Sequence, residues 1–262
     1  MRCIFCENDA SNSRSVEHII PESLGNKEHI LERGIVCDNC NNYFASKIEE
    51  PVLSSIHFRN LRGRQGIANK RGIIPFQYGV FPQAGLPIAL RASDQGMSAG
   101  AWHEKDEARF VRAVMGISEG TFIVPHSMPI DNRLLARFVA KVGVEAYVAN
   151  VLKGGLTVDQ IIASDELKSV RRFVRRGDSP ENWPISRRRI YGEEAIFFEE
   201  QASYQVLHEY SLLLTDENEV YAIICIFGEE YAINLGGPSI DGYRRWLSAN
   251  GDRSPLSAED HA

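Results

Sequence analysis

Four cysteines near the N-terminus limit the possible folds of this chain more than any other feature. They form two C-x-x-C pairs, Cys3 with Cys6 and Cys37 with Cys40. Two residues between the members of a pair let both sulfurs reach one ion, and four thiolates complete the tetrahedral shell that zinc prefers. A module of about 50 residues buries too little core to be stable alone, so ligation supplies folding energy. The cysteines therefore predict a structural zinc site without an open coordination position.

The segment between the cysteine pairs carries an acid and a histidine that zinc leaves unexplained. Glu17 and His18 open the run "EHIIP", which predicts a strand, as does "GIVC" before the last pair, and a helix is predicted from Asp38. Asn41 and Asn42 lie in the first turn of that helix, which zinc would bring against the first strand. Carboxylate and amide oxygens suit a hard ion such as Mg²⁺, and a nearby histidine can take a proton from water.

The pattern "CIFC…VEHIIPESLGN…CDNCNN…K" resembles the zinc-stabilised branch of the HNH endonucleases, whose core is a ββα-metal, treble-clef-like hairpin and helix. The resemblance covers roughly the first fifth of the chain and implies metal-dependent hydrolysis of phosphodiester bonds in DNA, leaving 5′-phosphate and 3′-hydroxyl ends. It assigns His18 as general base, Glu17 and Asn41 as ligands of the catalytic ion, and Lys47 as the helix lysine. An asparagine in place of the family's final histidine favours Mg²⁺ or Mn²⁺.

The resemblance is incomplete, and plainer interpretations stay open. The family's middle asparagine, which helps to orient the catalytic loop, has no clear counterpart, although Glu32 falls near its usual place and Asn26 is nearby. His18 could be a packed imidazole, and Glu17 could form a surface ion pair with Arg14 or Lys47. Asn41 could be only a helix N-cap. In that case Asn42 is the alternative ligand of the catalytic ion. A competing function is a zinc-held nucleic-acid- or protein-binding module without cleavage, which has no need of such a site.

Charge is segregated along the chain. The net charge is −6, yet residues 57–72 hold five basic residues and no acid, and residues 168–190 hold eight against two acids. Because charges are screened over about 8 Å in physiological salt, a phosphate responds to such local clusters. The predicted phosphate-binding residues are Arg59, Arg62, Arg64, Lys168, Arg171, Arg172 and Arg175. Trp102, Trp183 and Trp246 do not interleave with these charges as a stacking platform would require.

Periodicity beyond the cysteine module predicts an α+β fold. Strands are predicted between residues 73 and 125, including "ARFVRAVMG", followed by a long helix from "DNRLLARFVAKVG". A basic helix ending at Gly177 and an antiparallel meander in "YQVLHEYSLLLTDENEVYAIICIFGEEYAINLGG" complete the pattern. The predicted domains are a zinc-bound HNH module at 1–57, a basic connector at 58–72, and a mixed α+β domain with antiparallel strands at 73–262, for substrate binding or sensing.

Location and partners follow from composition and from the resemblance. No apolar run approaches the roughly 20 residues of a membrane span, and cysteines occupy the place of an export signal. We therefore expect a cytoplasmic location, and in a chain without an export signal the paired cysteines favour a metal over disulfides. We expect nucleic acid as the partner, with DNA favoured over RNA, and no membrane. Cutting both strands with one site per chain would favour a homodimer.

Overall fold

The structure is a computed structural model that describes residues 1–69, 71–93, 96–177, 180–199 and 202–256. The chain forms two compact units. The first comprises Met1–Glu22, Asn26–Glu49 and the chain from Asn132 onward, and the second comprises Ser23–Gly25 and Glu50–Asp131. The predicted domains, 1–57, 58–72 and 73–262, are segments expected to fold independently. This division of the chain stays a prediction.

Strands and helices follow one another in runs along the chain. The strands are β1 Glu17–His18, β2 Ile30–Leu31, β3 Gln77–Phe81, β4 Leu86–Ser93, β5 Gly96–Ala101, β6 Ile185–Arg189, β7 Ile196–Glu199, β8 Ala202–Gln205, β9 His208–Leu214, β10 Val220–Ile226 and β11 Glu229–Asn234. The helices are α1 Asp38–Phe44, α2 Glu50–Leu53, α3 Ile56–Arg64, α4 Glu107–Met115, α5 Asn132–Lys153, α6 Val158–Ala163, α7 Lys168–Arg176 and α8 Asp241–Ala249, with a π-helical turn at Ala45–Glu49. The predicted α+β class with antiparallel sheets is confirmed.

The cysteine module folds as a short hairpin followed by a helix. Strands β1 and β2 pair antiparallel, and α1 begins directly after Cys37. The second strand predicted at "GIVC" is wrong, because Gly34 adopts a left-handed φ of +89° and turns the chain. Beyond this turn, the carbonyl of Ile35 accepts a hydrogen bond from the amide of Ile4 at 3.0 Å. The segment therefore joins the first cysteine loop instead of extending the hairpin.

Helix α5 is the centre of the first unit. It is buried on nearly every side, as expected of a helix with apolar residues around its whole circumference. It packs against α7 and against the antiparallel sheet β6-β11-β10-β9, which contains the predicted meander. A Cβ added to Gly143 would lie 2.8 Å from the side chain of Ala222, so a glycine permits the close approach of α5 to β10. The predicted long helix and the meander are confirmed.

The two helices after α5 are bounded by clear local signals, and α7 has the predicted end at Gly177. Thr157 caps α6 in a capping box with Gln160, in which each side chain satisfies a backbone amide. Helix α7 ends at Gly177, whose left-handed φ of +66° is the usual C-terminal signal. Local residue chemistry therefore fixes both helix boundaries.

The second unit is a three-stranded antiparallel sheet, β3-β4-β5, with α3 and α4 packed on it. Its core contains Phe81, Leu86, Ile88, Leu90 and Phe110. The strand predicted at "ARFVRAVMG" is wrong, because these residues form α4. A helix places Phe110 and Ala113, three residues apart, on one face toward this core, whereas a strand would pair Phe110 with Arg112. Among the described residues, no helix has the length and apolar character needed to cross a bilayer.

Candidate functional site

The four predicted zinc ligands come together in the first unit. The sulfur atoms of Cys3, Cys6, Cys37 and Cys40 all lie within 4.8 Å of one another. Cys37 is the N-terminal flanking residue of α1, and Cys40 lies in its first turn. The Cys6 and Cys37 sulfurs are 3.5 Å apart, close to the roughly 3.8 Å expected between ligands on a tetrahedral zinc with Zn–S bonds of about 2.3 Å. The predicted four-cysteine arrangement is confirmed.

The thiols oppose one another's ionisation. A hydrogen bond with Cys40 lowers the pKa of Cys3 to about 4, against the opposing effect of burial. Burial raises the pKa of Cys6 to about 11, and the hydrogen bond with Cys3 and burial together raise the pKa of Cys40. Ionisation of one thiol thus disfavours ionisation of its neighbours, whereas a bound cation deprotonates coordinating thiols outright. This all-sulfur donor set fits zinc.

Arg175 borders the cysteine cluster, and Arg137 joins the hydroxyl of Tyr43 to α7. The guanidinium of Arg175 lies 4.1 Å from the ring centroid of Tyr43. Burial acts to lower the pKa of Arg175, but its hydrogen bond with Cys40 raises that pKa overall. Arg137 donates to the hydroxyl of Tyr43 at 2.8 Å and to the carbonyl of Val174 at 2.7 Å. These contacts hold α1, with its two cysteines, against α5 and α7.

Glu17, a predicted ligand of the catalytic ion, lies in the interior beside a buried lysine. Lys141 of α5 is fully buried, and its Nζ lies 2.6 Å from an oxygen of Glu17, 2.8 Å from one of Glu49 and 3.0 Å from one of Glu145. The same ammonium donates to the carbonyl of His18 at 2.8 Å. We call Lys141 and the three glutamates the buried lysine cluster. It replaces the surface ion pair that the sequence left open for Glu17.

Electrostatics in this cluster centre on the ammonium. Burial raises the pKa of Glu17 and of Glu145, the latter well above its ordinary value. Burial acts to lower the pKa of Lys141, but the surrounding carboxylates outweigh it and raise that pKa well above its usual range. Lys141 is therefore the cation that compensates buried negative charge. The other oxygen of Glu17, Oε2, has no hydrogen-bond partner among the described residues.

His18, the predicted general base, is half-buried at the end of β1, where the chain bends. Its Nδ1 is buried and has no hydrogen-bond partner in the described part of the chain. Buried polar atoms are normally paired with protein, water or a ligand. The imidazole nitrogen of His18 and the second carboxylate oxygen of Glu17 are therefore each available to water or a cation.

Asn41, the second predicted ion ligand, is held against the first strand. Its amide donates to the carbonyl of Val16 at 3.1 Å, two residues before His18 in the chain. The N-cap position of α1 is occupied by Cys37, so Asn41 does not act as that cap. The alternative ligand Asn42 is exposed, as is the family's helix lysine, Lys47. The fold thus brings Asn41 to the strand that carries Glu17 and His18.

Asn26 orders the loop of the hairpin. It is buried, and its amide nitrogen donates to the carbonyls of Ile20 and His29 while its oxygen accepts from the amides of Glu28 and His29. These bonds tie the chain after β1 to the chain before β2. Asn26 therefore orders the loop between the two strands, whereas Glu32 is exposed.

The basic helix α7 has two kinds of arginine. Arg171 is buried, and its guanidinium donates to the carbonyls of Ile4 at 2.9 Å and Ile162 at 3.0 Å, so it anchors the first cysteine loop. Lys168 and Arg172 are exposed. A cavity of about 510 Å³ lies between this helix and that loop, lined by Phe5, Cys6, Glu7, Asn8, Lys168, Arg171, Arg172, Arg175 and Arg176. We call this cavity the α7 groove.

The second predicted basic set lies on α3, in the second unit. Arg64 donates to the carbonyls of Pro125 and His126, which fixes its side chain. The guanidinium of Arg59 lies 5.4 Å from the ring centroid of Trp102, so the expectation that the tryptophans stay apart from the predicted phosphate-binding arginines is wrong for this residue. Phosphate contact by the seven basic residues of α3 and α7 stays a prediction.

Sequence reasoning missed the lysine cluster, although it left a signal. Lys141 and Glu145 are four residues apart within the apolar stretch "FVAKVGVEAYV". Opposite charges at this spacing meet on one side of a helix, and within a buried helix they require partners. What the stretch does not indicate is which partners these are, because Glu17 and Glu49 lie far away in the chain.

Comparison with known proteins supports the N-terminal assignment. Residues 3–56 match a family model described as HNH endonuclease. Neither the curated proteins nor the solved structures contain a match to this chain. The N-terminal region is therefore an HNH region with a four-cysteine cluster, as the resemblance predicts, and the family is nuclease-like in general character.

Zinc removal tests the cysteine cluster. We expect wild-type protein to carry one zinc ion per chain and Cys37→Ser to lose it, because three thiolates cannot close the tetrahedral shell. Loss of zinc should also lower the melting temperature, since ligation energy is folding energy. Metal analysis and thermal denaturation measure both effects. Cys225→Ser, which alters a buried cysteine outside the cluster, should retain zinc; full zinc in Cys37→Ser would contradict the assignment.

The buried ammonium predicts a large loss of stability in Lys141→Met. Removing it leaves buried carboxylates without a cation, a change that costs about 3–5 kcal/mol when one partner of a buried pair is deleted. Chemical denaturation of the purified protein gives the free energy of unfolding. Lys153→Met, at the exposed end of the same helix, should change it by no more than about 0.5 kcal/mol. Equal stability of the two variants would refute a central role for Lys141.

Asn26→Ala should loosen the hairpin without removing zinc. The substitution removes the hydrogen-bond partner of several backbone groups. Each such group destabilises the fold by about 1–3 kcal/mol when it is buried and unpaired. We expect faster hydrogen exchange at the amides of Glu28 and His29 and unchanged zinc content. The control is Asn12→Ala, an exposed asparagine of the same region. Unaltered exchange at both amides in Asn26→Ala would show that this side chain does not order the loop.

Proposed function

We propose that this protein is an endonuclease that hydrolyses phosphodiester bonds in DNA with a divalent metal ion and a histidine general base. The observation that carries the proposal is the unpaired Nδ1 of His18, which follows Glu17 with its unpaired Oε2 in the chain, within a region that matches the HNH endonuclease family. A general base must have a free nitrogen to accept the proton of the attacking water.

The donors near His18 suit a hard cation. Glu17 offers one carboxylate oxygen beyond the one taken by Lys141, and Asn41 is tied to the same strand. We assign these two residues as the protein ligands of Mg²⁺ or Mn²⁺, which bind few protein groups and keep several waters. When bound, such an ion stabilises negative charge on the phosphate and on the leaving oxygen.

The chain's own residues do the rest in this proposal. His18 takes the proton from water, and its strand is held through the ammonium of Lys141 on its carbonyl. Asn26 fixes the loop after the strand, and the structural zinc holds α1 against the hairpin. Preorganisation of this kind matters because small displacements of a catalytic group reduce the rate steeply.

Substrate contact is assigned to positive charge in both units. In the first unit, Lys168, Arg172 and Arg175 line the α7 groove beside the first cysteine loop. Arg171 lies deeper and supports that loop, whereas Arg59, Arg62 and Arg64 lie on α3.

We propose a homodimer as the form that cuts both DNA strands. We also propose the cytoplasm as the compartment, because cysteine thiols that are kept reduced there can bind zinc.

A second candidate function is binding of nucleic acid or protein without cleavage. The observation that favours it is the 2.6 Å contact of Glu17 with Lys141. A carboxylate engaged by an ammonium in this way can serve structure alone. In that case the cysteine module would dock onto a partner, and replacement of His18 would leave the affinity unchanged.

A plasmid-cleavage assay separates the two functions. Supercoiled plasmid is incubated with wild-type protein in Mg²⁺, in Mn²⁺ or in EDTA, and nicked and linear products are measured. We expect cleavage that requires the divalent ion, and in His18→Ala a fall in rate of about 10²- to 10⁴-fold, the usual contribution of a general base. The DNA affinity of the variant should stay close to that of wild type.

The matched control is His29→Ala. His29 belongs to the same hairpin and also follows a glutamate. Its hydrogen bonds with Asn26 are made by its backbone carbonyl and amide, so replacement of its side chain leaves them in place. This variant should cleave at nearly the wild-type rate, and zinc analysis should show that both variants keep the structural ion. Cleavage that survives His18→Ala, or no cleavage with any divalent ion, would leave the binding function as the better account.

A further inference from the structure

A cavity in the second unit combines aromatic faces with a positively charged arginine side chain. It measures about 410 Å³, within the size range of ligand sites. Its walls include Arg59, Phe76 and Trp102, and its remaining lining consists of small residues, Ala89, Ser98, Ala99, Gly100 and Ala101. Large flat side chains around a space kept open by small ones form a slot for a planar group. We call this cavity the Trp102 pocket.

Among the described residues, the arginines at this pocket form no ion pair, although the carboxylate of Glu107 contacts the amide of the lining residue Ala101. In the described part of the chain, no acid forms an ion pair with Arg59 or with its neighbour Arg62. Burial, and after it the charge of Arg59, lowers the pKa of Arg62, so the two guanidinium groups are close enough to repel each other. A third guanidinium, that of Arg91, lies 3.8 Å from the ring centroid of Phe76. An anionic group would relieve this repulsion.

The walls of the pocket are held in place by the fold. Buried Asn60 joins α3 to β3 by donating to the carbonyl of Tyr78 at 2.9 Å and accepting from its amide at 2.6 Å. The Tyr78 ring packs edge-on against Trp102 with centroids 5.1 Å apart. The carboxylate of Glu107 accepts from the amide of Ala101 at 3.0 Å and fixes the end of β5. Arg59 and Trp102 therefore face the cavity from anchored positions.

We propose that the Trp102 pocket binds an unstacked nucleobase of a nucleic-acid strand, with Arg59 and Arg62 on the adjoining phosphates. Aromatic faces stack on any base, and guanidinium groups contribute both stacking and charge. The inference rests on the proposed nuclease function, because it states how the same substrate is held. It is tested by binding alone and so can fail or succeed independently of cleavage.

The test compares two oligonucleotides of equal charge. Fluorescence anisotropy, without added divalent ion, measures binding of a 12-nucleotide single-stranded DNA and of the same backbone with every base replaced by an abasic analogue. We expect Trp102→Leu to weaken binding of the first by roughly 5- to 150-fold, the range for loss of one stacked base, and to leave the second unchanged. Arg59→Gln should weaken binding of both oligonucleotides, because it removes charge.

Controls address folding and the nature of the ligand. Trp102→Phe keeps an aromatic face and should retain most of the affinity, whereas Phe122→Leu, at a partly exposed aromatic of the same unit outside the lining, should have no effect. Melting temperatures show whether each variant is folded. Deoxyadenosine monophosphate should compete only weakly, and competition equal to that of the oligonucleotide would make this a free-nucleotide site, contrary to the proposal.

A measurement on the unaltered chain covers the case in which Trp102→Leu does not fold. An oligonucleotide containing 5-bromodeoxyuridine is cross-linked to wild-type protein by ultraviolet light, and the attached peptide is identified by mass spectrometry. Attachment at Phe76 or Trp102 supports the pocket. Attachment only elsewhere overturns the proposal, as does a folded Trp102→Leu variant that binds both oligonucleotides like wild type.

Discussion

One buried ammonium group joins the first strand of the HNH region to the central helix of its unit. Lys141 contacts a carboxylate of that strand, a carboxylate from the end of the π-helical turn, and a third from its own helix, and it also binds the carbonyl of His18. Desolvating these charges is expensive, and each depends on the others for compensation. The position of His18 therefore depends on a residue 123 positions later in the chain. An HNH region excised from this protein would lose that contact.

Sequence predicted those parts of the site whose chemistry is local. The spacing of the cysteines was enough for the zinc cluster, because two residues between thiols fix which sulfurs can share an ion. The loop-ordering asparagine was harder, since Asn26 is recognisable only from its four hydrogen bonds to backbone groups. The partners of Lys141 could not be predicted at all. A charged residue in an apolar helix indicates that compensation exists, but its location depends on long-range packing.

The difference between local chemistry and long-range packing also explains two wrong predictions, the strand at α4 and the separation of Trp102 from the basic residues. In α4 the runs of apolar residues are too short to distinguish the two-residue period of a strand from the 3.6-residue period of a helix. Only the packing of Phe110 in the core shows that the segment is a helix. Three strands, β3 to β5, separate Trp102 from Arg59 in the chain, so no interleaving is visible in the sequence. Antiparallel pairing of β4 with β5 and the packing of α3 on the sheet bring the two together.

The composition of the lysine cluster argues that it serves position more than stability. Apolar residues of similar volume often stabilise a core as well as a buried ion group does, or better. What apolar packing does not supply is directionality: an ammonium can donate hydrogen bonds to a few acceptors in definite places, whereas an apolar side chain tolerates sliding. Here one acceptor is the main-chain carbonyl of His18, and another is the side chain that precedes it. Fixing both at once sets the register of a two-residue strand that has too few backbone bonds to set its own. The energetically unfavourable burial of these charges therefore occurs at the place where it positions His18, the proposed general base.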